Sequence, residues 1–410
     1  RYPKFCKMMH PTDHLSEPNI SVSDDRLIGR WGDMAAGPLV VVTAGIHGNE
    51  PSGVEALEAL FESLGKTQVE FNGCLIGLRG NCRALQMGKR FHTEDLNRIW
   101  TRERLRRWTE EHPPIHPDEA EMYALLSLIE DYRKKAKGPI YFFDLHTTSS
   151  QTIPFTTVND SLLNRSFAEQ LPVPMILGIE EYLDGPLLSY LNDLGYVSFG
   201  FEGGQHDDAL ARKAHYAFLQ LSLYLTGLRT RDRKAEAKWR KAMADLTHGV
   251  QGIFEIVDRH AIASGETFCM RPGYANFQRV EKGEILADSN EKPLRAKKSQ
   301  RIFMPLYQKQ GRDGFFIVSP TARFFLWLSK QVRLRRLDRL LVLLPGVSWN
   351  DEVRSSMKVD RRTARFLARQ LFHLFGYRSR VSSDRYFIAY NREAHSRNED
   401  YEGAPWLSSN

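Results

Sequence analysis

The sequence predicts an α/β fold: a mainly parallel mixed sheet flanked by helices, then a small β domain and a mostly helical basic extension. Three observations carry that expectation. Apolar runs alternate with helical patterns over the first 235 residues or so. Short alternating runs broken by turn residues replace them between 250 and 320. Basic helical patterns then dominate residues 321–410. Strands alternating with helices need crossover connections, which place helices on both faces of a parallel sheet.

In chain order, residues 38–46, 73–81, 139–147, 173–179 and 196–204 read as strands, each a short apolar run. Residues 51–64 read as a helix with Pro51 in its first turn, where a missing N–H costs nothing. In 117–136, Met122, Leu125, Leu126 and Ile129 recur at helical spacing. Residues 210–228 continue as an amphipathic helix, and 234–249 as a charged connector with Gly249 at its C-terminus. The turns "EKGE" and "GRDG" then punctuate a small β region. Two basic helical patterns follow, around 321–345 and 360–375, and "YRSRVSSDRYFIAYNRE" (377–393) reads as a hairpin. Three units result: residues 1–235, a connector helix with small β domain at 236–320, and the extension at 321–410.

Composition limits the class of protein. Hydrophobic residues make up 42% and charged residues 26% of 410, ordinary values for a globular chain. No run approaches the ~18 apolar residues of a membrane span. Residues 1–15, "RYPKFCKMMHPTDHL", lack the apolar centre of a signal peptide. The four cysteines are scattered and form no Cys-x-x-Cys pair, which argues against a disulfide framework and a cysteine-built zinc knuckle. A reducing, cytoplasmic setting is the expectation. The net charge of +7 is concentrated: residues 321–410 hold 17 Lys/Arg against 9 Asp/Glu, leaving the rest of the chain near neutral.

The chemistry-bearing residues gather at strand ends. "VVVTAGIHGNE" closes one strand with His47 and Glu50, "YFFDLHTTSS" closes another with Asp144 and His146, and "YVSFGFEGG" closes a third with Glu202. In an open parallel sheet the loops beyond the strands' carboxyl ends share one crevice. His, His and Glu with an open fourth position is a known catalytic zinc set, and zinc lowers the pKa of its water to roughly 7. A separate carboxylate must then move protons, and Glu202 is free for that. Asp144, two residues before His146, can accept the imidazole's other N–H. "GNCRALQMGKRFHTEDLNRIW" (80–100) adds Arg90, Asn97 and Arg98, types that hold carboxylates and oxyanions.

Four motifs in order, "GIHGNE", "RFHTEDLNR", "DLHTT" and "FEGG", resemble the succinylglutamate desuccinylase/aspartoacylase family, a branch of the zinc carboxypeptidase-like (M14-type) fold. The motifs cover about the first 210 residues, and the architecture extends the resemblance to about 320. The resemblance implies a zinc-dependent hydrolase, with one Zn2+ per chain, that cleaves an N-acyl amino acid or a related small carboxylate. It implies His47, Glu50 and His146 as metal ligands and Glu202 as general base, then acid. It implies Arg90 at the scissile carbonyl, Asn97 and Arg98 on a substrate carboxylate, and Tyr307 reaching the pocket from the β domain. No Arg or Lys lies in "LSYLNDLGYVSFGFE", so a second carboxylate clamp just before Glu202 is missing. Alternative readings are a carboxypeptidase-like hydrolase of a short peptide or cell-wall-derived amide, and a metal-free binding relative.

His206 either lines the pocket or joins Asp207 and Asp208 at a helix start; the helix start suffices to explain it. The basic extension carries Arg on one side of its helices and Leu/Phe on the other, the pattern of an anionic-surface or nucleic-acid contact, a subunit interface or a lid. No nucleic-acid-binding signature accompanies it, so a nucleic-acid partner is not expected, and a homo-oligomer stays open. Its removal is expected to leave the strand-end cluster intact.

Overall fold

The computed structural model describes residues 24–67, 69–363, 368–381 and 385–407. The signal-peptide reading of residues 1–15 therefore lies outside the described residues. The first 250 residues form β1 (Leu27–Gly32), β2 (Leu39–Ala44), α1 (Ser52–Thr67), β3 (Cys74–Arg79), α2 (Cys82–Met87), α3 (Arg102–Thr109), α4 (Pro117–Lys135), β4 (Ile140–Thr148), β5 (Phe155–Val158), α5 (Leu162–Ala168), β6 (Met175–Leu177), α6 (Leu187–Asp193), β7 (Val197–Gln205), α7 (Ala209–Leu225) and α8 (Arg233–Asp245). The next stretch forms β8 (Ile253–Ala261), β9 (Phe268–Met270), β10 (Arg279–Val280), β11 (Ile285–Ser289), β12 (Lys292–Arg295), β13 (Gln300–Phe303) and β14 (Asp313–Pro320). The extension adds α9 (Arg323–Leu334), β15 (Val347–Trp349), β16 (Ser356–Asp360), α10 (Ala368–Leu374), β17 (Tyr377–Val381) and β18 (Tyr386–Asn391).

Eleven strands make one mixed sheet in the order β1-β3-β2-β4-β7-β5-β6-β8-β14-β13-β10. Its centre, β3-β2-β4-β7, is parallel throughout. Every residue of β2 and β4 is buried, as expected of parallel strands covered on both faces. Side chains alternate between the two layers. Val40 and Val42 pack with Leu57 and Leu60 of α1 and Phe218 of α7, while Leu39 and Val41 pack with Met122, Leu125 and Ile129 of α4. The parallel order brings the carboxyl ends of β2, β4 and β7 side by side.

The second unit is less separate than the sequence suggests. β8, β14, β13 and β10 continue the main sheet, and β9, β11 and β12 form their own three-stranded sheet. The connector helix α8 stops at Asp245; Gly249 instead takes a positive φ of 79° in the turn beyond it. The pattern at 321–345 is two pieces, α9 and a 3-10 helix at Leu337–Leu343, broken where Arg336 adopts φ 49°. The pattern at 360–375 narrows to α10, with residues 364–367 outside the described set. The hairpin of 377–393 is present as β17 and β18.

The end of the extension returns to the main core. Tyr401 and Trp406 are buried among Tyr141 and Phe167. The Tyr401 hydroxyl donates to the Ile140 carbonyl and accepts from the Val197 amide at 2.8 Å, and Trp406 Nε1 donates to the Tyr141 hydroxyl at 3.1 Å. Ile140 and Val197 are the first residues of β4 and β7, so one hydroxyl ties together the two strands that end in His146 and Glu202. Residues 321–410 are therefore not an appendage: their last turn packs at the starts of the two strands whose far ends carry His146 and Glu202.

Candidate metal centre and catalytic cavity

The loop after β2 is shaped by two glycines. Gly45 takes φ 70°, and Gly48 lies so close to α2 that a Cβ would fall 2.0 Å from the Ala84 carbonyl carbon. Gly48 N–H donates to the Arg90 carbonyl at 3.1 Å, pinning this loop to the cation-bearing one. His47 and Glu50 thereby face His146 at the end of β4. Among the described residues, His47, Glu50 and His146 offer one atom each within 4.8 Å of one another, all three side chains being buried.

The orientation of both imidazoles follows one rule. Nδ1 of His47 lies 2.8 Å from Glu50 Oε1, and Nδ1 of His146 lies 3.0 Å from Glu50 Oε2. Each Nε2 faces a different carboxylate: Asp95 at 3.1 Å for His47, and Asp144 at 2.7 Å for His146. Asp144 is itself oriented by the Thr43 hydroxyl at 2.6 Å. Both rings therefore turn the same nitrogen inward, with a carboxylate behind each, the arrangement that fixes tautomer and direction in metal-binding histidines. Burial alone would raise the Glu50 carboxyl, but the His47 charge and hydrogen bonds from both histidines hold it well below its ordinary range. Burial opposes charging of His146, yet Asp144 and Glu50 outweigh it and raise the imidazole well above the usual histidine range.

Glu202 sits across from His146 in the β4–β7 register and is 6% exposed. Its Oε2 has no hydrogen-bond partner among the described atoms. Burial pushes its carboxyl up to about 8, with the Glu50 and Asp144 charges adding to the shift and His146 opposing it. A buried, unpaired carboxyl oxygen is costly unless it has work to do.

Arg90 is braced by Asp95 through Nε at 3.2 Å and Nη2 at 3.1 Å, which leaves Nη1 on the cluster side, 3.5 Å from Glu50. The loop carrying both is held by Asp118 in the first turn of α4, which accepts from the amides of His92, Thr93 and Glu94. Asn97 Oδ1 accepts from the Leu187 amide at 3.0 Å, and Arg98 pairs with Asp313 at 3.1 Å. Glu50, Arg90, Asp95, Asn97, Arg98 and Asp313 line one cavity of about 400 Å³, a size suited to a small molecule.

His47, Glu50, Arg90, Asn97, Arg98, His146 and Glu202 therefore meet in one cavity, with Asp144 directly behind. Tyr307 does not join them. Its hydroxyl donates to the Arg271 carbonyl at 2.7 Å and accepts from the Tyr274 amide at 2.9 Å, closing a turn of the β region. The neighbouring Gln308 lines the cavity instead, with Oε1 2.9 Å from Asn49 Nδ2 and 3.0 Å from His206 Nε2. His206 is a cavity residue, its Nδ1 2.7 Å from the Thr147 hydroxyl, while Asp208 caps α7. Arg312 also lines the wall, and among the described residues it forms no ion pair, unlike Arg90 and Arg98. Its position in "GRDG" reads as a turn; nothing in the sequence signals a cavity cation there.

Comparison with known proteins finds similarity to one family of domains. Residues 36–217 match the family model described as the succinylglutamate desuccinylase/aspartoacylase catalytic domain. A succinylglutamate desuccinylase from Chromobacterium violaceum is 26% identical over 116 residues, 28% of this chain and 33% of that protein. One from Yersinia pestis is 41% identical over 61 residues, 15% of this chain and 18% of that protein. The matched stretches thus span a third or less of these curated relatives. A crystal structure of a Vibrio parahaemolyticus succinylglutamate desuccinylase superposes with a TM-score of 0.50 at 16% identity, covering 70% of this chain and 83% of that one, a likeness of fold. Residues 36–217, which hold the His/Glu/His cluster and Glu202, are thus similar to the succinylglutamate desuccinylase/aspartoacylase catalytic domain.

Proposed function

We propose that the protein is a zinc-dependent amidohydrolase that cleaves an N-acyl amino acid or related small carboxylate. One observation carries the reading: a buried carboxyl with an unpartnered oxygen, Glu202, stands beside a buried His/Glu/His cluster in a cavity of small-molecule size. The donor set fits zinc, since it supplies two imidazole nitrogens and one carboxylate, each backed by a further hydrogen bond. His47, Glu50 and His146 would hold one ion per chain. Zinc bound there supplies Lewis acidity and makes a water acidic near neutrality.

The chain's own residues account for the rest. Glu202 Oε2 takes a proton from the attacking water as the water oxygen bonds to the acyl carbon. Arg90 Nη1, held in place by the Asp95 brace, faces the developing oxyanion. When the C–N bond breaks, Glu202 returns its proton to the departing amine, leaving a carboxylic acid and an amino acid. Arg98 and Asn97 border the cavity beside a substrate carboxylate. Arg312, the lining arginine with no ion pair among the described residues, adds a second cationic contact that the sequence before Glu202 lacks.

Metal analysis tests the reading. The purified protein should carry about one zinc per chain, and His47→Ala should lose it. Absence of zinc from both after zinc is supplied would refute the proposal and favour a metal-free binding role.

A further inference from the structure

The outer surface of the extension is unusual for a water-facing one. In α9, Phe324, Trp327 and Leu334 are 63%, 57% and 61% exposed and recur at helical spacing on the outer face. The opposite face buries Ser329, Val332 and Arg333. In the 3-10 helix that follows, Leu337, Leu340 and Leu343 are also exposed, Leu343 by 76%. Residues three apart eclipse in a 3-10 helix, so these three leucines share one face. Two successive helices thus each turn an apolar stripe to water, where large apolar patches mark interaction sites.

Cations border both stripes. Arg323, Lys330, Arg335, Arg336 and Arg339 are all exposed. None of the five forms an ion pair among the described residues, whereas inward-facing Arg333 pairs with Asp160 at 2.7 Å and Glu393 at 3.2 Å. Inward-facing Arg333 and Arg392 are ion-paired, whereas the five cations along this face pair with no carboxylate among the described residues, Arg335 bonding only to Gln331.

We infer that this face, Phe324 to Leu344, is a docking surface for an anionic lipid bilayer. Exposed aromatics and leucines flanked by unpaired arginines match a helix lying in the headgroup region, with apolar side chains in the acyl boundary and guanidinium groups on lipid phosphates. A second copy of this face is disfavoured, because a two-fold contact would bring like charges together without a counter-ion. Nucleic acid would satisfy the arginines but leave the leucines and phenylalanines in water. No helix among the described residues is long and apolar enough to cross a membrane, so the contact is peripheral.

Vesicle flotation of the full chain tests this. Phosphatidylcholine vesicles containing phosphatidylglycerol should carry the protein at low salt, and pure phosphatidylcholine vesicles should not. Replacing Arg335, Arg336 and Arg339 by Gln should weaken partitioning roughly a hundredfold, about fivefold per basic residue near an anionic surface. Trp327→Ser should also lose binding. Trp327→Phe should retain binding but lose the emission blue shift that vesicles induce in the parent, and unchanged thermal unfolding of each variant would show that they fold. Failure to float with anionic vesicles, flotation insensitive to salt and to the three arginines, or a self-association abolished by Trp327→Ser without any lipid binding would each overturn the inference.

Discussion

Tyr401→Phe removes one oxygen atom from a fully buried ring. That oxygen both receives the Val197 N–H and donates to the Ile140 carbonyl, at the starts of neighbouring parallel strands. The phenyl ring fills nearly the same space, so the cost is electrostatic. Two backbone groups lose this partner, each at a cost of ~1–3 kcal/mol, so a loss of about 2–6 kcal/mol is expected. Urea unfolding monitored by tryptophan fluorescence reads this as a lower midpoint with an unchanged slope. Trp406→Ala, which opens a cavity against Phe167, should cost about 3–5 kcal/mol. A Tyr401→Phe variant within about 0.5 kcal/mol of the parent, the usual range of neutral surface changes, would refute the claim that the tail anchors β4 and β7.

Three other perturbations follow from the geometry. Asp144→Asn keeps the shape behind His146 but not the charge, and zinc affinity by chelator competition should fall roughly 10–100-fold. Arg312→Met should raise KM for N-acyl amino acids by roughly tenfold or more with kcat nearly kept, the scale of a lost hydrogen bond to a charged group. His373 in α10 lies 3.1 Å from Glu255 and 2.9 Å from Glu181; burial opposes its charge, but the two carboxylates raise it above the ordinary histidine range. Its stabilising contribution is complete below about pH 6.5 and is lost as pH rises through the raised folded value. Stability measured across that window should therefore decline more in the parent than in His373→Gln.

The strands and the site were legible to different degrees. β2, β4 and β7 announce themselves because they are buried on both faces and read as continuous apolar runs. Their carboxyl-end residues, His47, Glu50, His146 and Glu202, are found by the same pattern, since a parallel sheet collects its strand ends. β5 does not announce itself, because four residues, "FTTV", carry too little periodicity. Asp95 and Asp118 were invisible as positioning groups: a carboxylate's partners here are set by loop packing, not by spacing. Tyr307 and Gln308 adjoin in the chain, and only the local turn decides which one reaches the cavity. The return of Tyr401 and Trp406 to the core is a long-range contact that no local pattern encodes, and the extension's basic charge masked it.

The central claim is that Glu202 moves the protons at a metal site built by His47, Glu50 and His146. The most direct test is the hydrolysis rate of Glu202→Gln, assayed with N-acyl amino acids at matched zinc content. The account predicts full zinc occupancy and a kcat reduced by about 10²–10⁴, the scale of a lost general acid–base. A zinc-loaded variant that hydrolyses at the parent's rate would contradict it.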